Sequence, residues 1–163
     1  MTTFTLNRTG APSSGWHHFD IRQKMSTEIV DTWNAVLAKE AKSGVTSLSD
    51  QERTICFVNR FTCDFSKGGL IGFLYNLSPE WGLLGSFEEE IRRVGCDSIA
   101  AMIADVRMVF QKAGELEERK ETWSDYLSRL DPSGRLLSLD SKFTGADEEL
   151  WGRLEDFTKK LKK

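Results

Sequence analysis

A chain of 163 residues with 39% hydrophobic and 29% charged side chains has the material for one substantial core, which excludes both a disordered segment and two full-sized domains. Three cysteines set in apolar periodic stretches exclude a secreted disulfide framework, and no apolar run approaches the roughly 18 residues of a membrane span. The formal charge of −3 is uneven: residues 80–131 hold 7 Lys and Arg against 12 Asp and Glu, which argues against direct nucleic-acid binding by that segment.

The opening MTTFTLNRTG lacks the charged-then-apolar order of a signal peptide, so a cytoplasmic protein is expected. Residues 1–25 mix Thr, Ser, Gly and Pro around Trp16 to Phe19 and read as an arm or loop. His17 and His18 are adjacent and point in different directions on most backbones. Only Asp20 stands near them, too small a ligand set for a metal site.

A first helix is predicted from about Ser26 to Ser43, with Ile29, Val30, Trp33, Val36, Leu37 and Ala41 on one face and Gly44 as its stop. After a short connection, Ser49 and Glu52 stand in the S-x-x-E relation of a capping box. The short link predicts an antiparallel pair. Ile55, Phe57, Val58, Phe61 and Phe65 give the second helix a wide apolar stripe ending near Ser66.

Gly68-Gly69 then precedes Leu70, Ile71, Phe73, Leu74 and Leu77, a segment too short and apolar for a surface helix. Paired glycine serves either a positive-φ turn that reverses the chain or close backbone approach to a ligand phosphate. Neither phosphate-loop spacing is present, which favours the turn.

Trp81 to Gly85 reads as a loop that tucks aromatic and leucine side chains inward, and Ser86 with Glu89 repeats the cap pattern for a short helix to Val94. Asp97 is expected to cap a helix whose stripe is Ile99, Met102, Ile103, Val106, Val109 and Phe110, running up to Gly114. Residues 115–130 suggest a surface helix with Leu116, Trp123, Tyr126, Leu127 and Leu130 on one face. Asp131-Pro132-Ser133-Gly134 is a turn, Leu136, Leu137, Leu139 and Phe143 form a short packed segment, and a last helix from about Ala146 carries Leu150, Trp151, Leu154, Phe157 and Leu161.

Cys56 and Cys63, seven residues apart on one side of a helix, have phenylalanine and isoleucine neighbours and no histidine nearby, so they read as buried thiols. Asp64 reads as solvated or paired with Arg60. Glu88, Glu89 and Glu90 occupy a first helical turn, with Arg92 and Arg93 four residues after the first two, and Glu115 has Arg119 at the same spacing. Glu90, Asp97, Glu117, Glu118 and Asp125 are left without a local cation. No acyl-transfer, metal or nucleotide motif is present, so neither an enzyme nor a cofactor is expected.

In order along the chain come Glu52-Arg53 at the start of an apolar helix, Gly68-Gly69 running into Phe73, Tyr75 and Asn76, an I-R-R-V-G-C-D-S-I-A-A block, and Leu139-Asp140-x-x-Phe143. This order resembles the DNA mimic protein 19 family of bacterial helical domains over about residues 48–160. The family tends to have Asn-Gly-Gly-Phe followed by glutamine, where this chain has Lys67-Gly68-Gly69-Leu70 and Gly72. The resemblance implies an acidic homodimer that imitates DNA on a DNA-binding regulator.

The expected fold is therefore all-α: a single-domain bundle of about six to eight helices over residues 26–163 around a central apolar helix pair. The expected function is non-enzymatic binding of a basic protein partner, a DNA-binding protein or a toxin, with no membrane contact. Glu88, Glu89, Glu90, Asp97, Glu115, Glu117, Glu118, Glu121 and Asp125 are the candidate contacts. A ligand pocket at the Gly68-Gly69 turn is the alternative.

Overall fold

The computed structural model describes residues 25–78, 80–111 and 123–161, and within them the chain is all-α. The seven helices are α1 (Thr27–Ser43), α2 (Asp50–Leu77), α3 (Leu84–Arg93), α4 (Asp97–Gln111), α5 (Trp123–Leu130), α6 (Arg135–Lys142) and α7 (Ala146–Leu161). The expected arm, with His17 and His18, lies outside the described residues, as does the 115–122 part of the helix expected over 115–130, the remainder of which is α5.

Helix α1 stops where Gly44, at φ 79°, donates its amide to Glu40 O at 2.7 Å. Ile29, Trp33 and Val36 bury its apolar face. A short 3₁₀ turn at Val45–Ser47 leads into α2, whose capping box is complete. The Glu52 amide donates to Ser49 Oγ at 3.3 Å, and the Ser49 amide donates to Glu52 Oε2 at 2.8 Å. Lys39 Nζ reaches Glu52 at 2.7 Å, tying the end of α1 to the start of α2 as an antiparallel pair requires.

The helix opened by Ser49 breaks just past Ser66, as expected, at Gly68-Gly69, and helical hydrogen bonding resumes beyond the pair in a second limb that ends at Leu77. The two limbs are not collinear. Twelve residues of straight helix span about 18 Å, yet the Phe61 and Phe73 ring centroids are 4.6 Å apart and Asn76 Nδ2 donates to Asp64 Oδ1 at 3.1 Å. Gly68 (φ −151°, ψ 18°) and Gly69 (φ 60°, ψ −160°) make the bend. The turn expected at this pair is a sharp doubling-back between two helical limbs.

Around this doubled helix the core assembles: α1, α3, α6 and α7 all pack against α2, while α3 and α4 pack on each other. Phe57, Phe61, Phe73 and Phe87 meet edge-on, with Phe87 centroids 4.8 Å from Phe57 and 5.0 Å from Phe73. Trp33 stacks on Trp151 at 5.3 Å and donates its indole N–H to Thr158 Oγ1 at 2.9 Å, bonding α1 to α7.

Three local expectations are corrected. Ser86 is not a cap: a 3₁₀ turn at Trp81–Leu83 feeds directly into α3, and full burial of Leu84, Phe87 and Ile91 draws the start of the helix three residues earlier. Asp97 stands in the first turn of α4 rather than before it. Leu137, expected to be packed, is 62% exposed, because α6 turns Leu136 inward instead. The turn at 131–134 forms as expected, with Asp131 accepting from Ser133 Oγ at 2.8 Å and from the Leu136 amide at 2.6 Å.

Candidate functional site

Two sets of residues stand out, the family-like elements on and around α2 and the carboxylates of residues 80–131. In the first set, Gly69 has no room for a side chain. A Cβ there would lie 3.0 Å from Asp140 Cγ and closer still to Oδ1. That carboxylate accepts the Leu70 amide at 2.5 Å. Asp140, on α6, thus serves as the N-cap of the second limb of α2 from 70 residues away. An amide of the kind a bound phosphate needs is already taken by the protein's own carboxylate, which tells against a ligand pocket at this turn.

The other family-like residues, Tyr75 apart, are also held by contacts within the fold. Phe73 is fully buried, and Asn76 holds Asp64 across the bend. Asp64, expected to be solvated or paired with Arg60, is half-buried, and burial raises its pKa against the lowering effect of the Asn76 bond. Arg60 instead pairs with Glu80 at 3.4 Å and lies 5.9 Å from the centre of the Phe87 ring. Tyr75 faces outward at 58% exposure and meets Trp123 edge-on at 5.7 Å. Behind it Trp123, Trp81, Tyr126 and Phe110 form one aromatic group, with Trp81 and Phe110 centroids 4.2 Å apart.

Glu90 is the largest departure from expectation among the carboxylates. Counted from sequence as uncompensated and free to meet a partner, it is 1% exposed and wedged between α2 and α3. Arg53 Nε donates to its Oε1 at 2.9 Å, Thr54 Oγ1 donates to its Oε2 at 2.7 Å, and Arg93 Nη1 lies 3.0 Å from that second oxygen. Arg93 further donates to Asp50 O and to Thr54 Oγ1, each at 3.3 Å. The side chain of the E-R pair, Arg53, therefore lies against Glu90 and Asp50, while Glu52 is held in its cap and by Lys39. The Lys39 hydrogen bond is the main reason the Glu52 pKa is lowered, followed by the Ser49 backbone bond.

Other acidic candidates are paired in turn. Glu88 bridges Arg92 at 3.1 Å and Arg107 at 2.9 Å, and Glu89 pairs with Arg93 at 3.0 Å. Asp105 pairs with Arg135 at 3.1 Å. Asp97 is 83% exposed and has Arg92 only at 3.9 Å. Asp125 sits on the exposed side of α5, while Glu115, Glu117, Glu118 and Glu121 lie outside the described residues. The described candidates are distributed rather than gathered: Glu90 joins the core, Glu88 and Glu89 join ion pairs, and Asp97 and Asp125 face outward.

Cys56 and Cys96 are buried free thiols, and each is pushed up to about 11, with burial the leading cause in both. At neutral pH such groups are thiols, not nucleophiles. Among the described residues no group of three His, Cys, Asp or Glu could hold a metal, and no helix is long and apolar enough to cross a membrane. A cleft of about 80 Å³ opens between α3 and α7, lined by Arg93, Val94, Arg153, Asp156, Phe157 and Lys160. Its volume suits two or three waters, well below the roughly 300–1,000 Å³ of small-molecule sites.

The fold defines an all-α domain whose most distinctive sequence elements, the glycine bend and the Leu-Asp-x-x-Phe element, meet at a single contact. The family profile of the DMP19-like protein matches residues 46–161, and the chain belongs to that family. The match spans α2 to α7 and leaves α1 outside. No curated protein and no solved structure matches the chain.

Proposed function

We propose that this protein is a non-enzymatic interaction domain that binds a basic, DNA-binding protein through exposed carboxylates, in the manner of a DNA mimic. The observation that carries this reading is membership of the DMP19-like family over residues 46–161. The pairing of Glu88, Glu89 and Glu90 moves the candidate contacts down the chain, to Asp97, Asp125 and the run Glu115, Glu117, Glu118 and Glu121. Residues 115–125 hold five acidic side chains against Arg119 and Lys120, a strongly acidic stretch of the sequence. Duplex DNA presents about one charge per 1.7 Å of axis, so a surface built from this run imitates a short length of backbone, and pairing of two copies lengthens it.

The test is competition. Immobilised protein is offered a panel of purified basic DNA-binding proteins, and the bound ones are challenged with duplex DNA and with rising salt. The expected result is capture that DNA reverses and that weakens steeply with salt. A variant carrying Glu117→Lys, Glu118→Lys, Glu121→Lys and Asp125→Lys should lose capture while keeping its helical circular dichroism. Capture unchanged in that variant, or indifferent to DNA, overturns the proposal.

A further inference from the structure

We draw no further inference here: the strongest candidate, the aromatic group of Tyr75, Trp81, Phe110, Trp123 and Tyr126 beside the exposed end of α5, carries nothing because nothing in the structure shows what covers it.

Discussion

Glu90 and Asp97 lie seven residues apart in one acidic segment and contribute equally to its formal charge, yet they do opposite work. Glu90 is held by two arginines and a threonine in the seam between α2 and α3, whereas Asp97 stands in water with one arginine at a distance. Of the described carboxylates in residues 80–131, Glu80, Glu88, Glu89, Glu90 and Asp105 all have a cation within 3.4 Å. The number of carboxylates counted along the segment therefore overstates the negative surface offered to a partner. What a partner meets is the charge left after the fold has used its share.

Substitution can widen or collapse that contrast. The largest effect is expected from Glu90→Gln, which strips the charge facing Arg53 and Arg93. Removing one member of a buried ion pair costs about 3–5 kcal/mol. Because both arginines reach solvent, a loss of about 3 kcal/mol is expected in urea unfolding. A loss below about 0.5 kcal/mol, the range of a surface change, would show that Glu90 is no more structural than Asp97.

Next comes Gly69→Ala, which sets a Cβ into the Asp140 carboxylate at a backbone conformation that side chains rarely adopt. About 2 kcal/mol is expected from the strain. Asp140→Ala alone should cost about 1 kcal/mol, as loss of a cap does. Combined, the two should cost less than their sum by at least about 0.5 kcal/mol, since the second change removes the clash made by the first. Strict additivity in the double-mutant cycle would separate the bend from α6.

A smaller effect concerns Asp64. Its folded pKa is raised by burial above the unfolded value, so the folded state binds the proton more tightly and stability falls as pH rises through the window between the two values. Asp64→Asn should flatten that part of the stability profile, as read by thermal unfolding at a series of pH values above 3.8. An unchanged slope would assign it to other carboxylates. The smallest effect is expected from Asp97→Asn, within about 0.5 kcal/mol of wild type, with any consequence confined to partner binding.

How much of this was legible beforehand follows from the range of the forces involved. The Ser49 capping box, the α4 stripe and most of the α1 and α7 stripes rest on neighbours within two helical turns and are found in place, whereas Ala41 and Leu161, at the helix ends, are exposed. Ser86 misled because the cap pattern is short and the burial of Leu84 outweighs it. Leu137 misled because one helix face cannot bury Leu136 and Leu137 together. The Asp140 cap and the Arg53–Glu90 pair join residues 70 and 37 positions apart, and no periodicity encodes such meetings. For the candidate contacts, the sign of the segment was readable, but not which members the helices would consume. Thr158 shows the same limit, being a fully buried polar residue whose hydroxyl donates to Leu154 O within its own helix and accepts from Trp33 on another.

The Trp33 contact also bears on where this domain can be cut. The family match begins at residue 46, so a fragment designed on it would omit α1. Such a fragment would lose the indole that covers Trp151 and the donor that satisfies Thr158, opening an apolar trench along α7. Exposed apolar patches of that kind promote self-association. A recombinant domain that keeps the Trp33 contact would begin at or before Met25, twenty-one residues ahead of the boundary that similarity alone would choose.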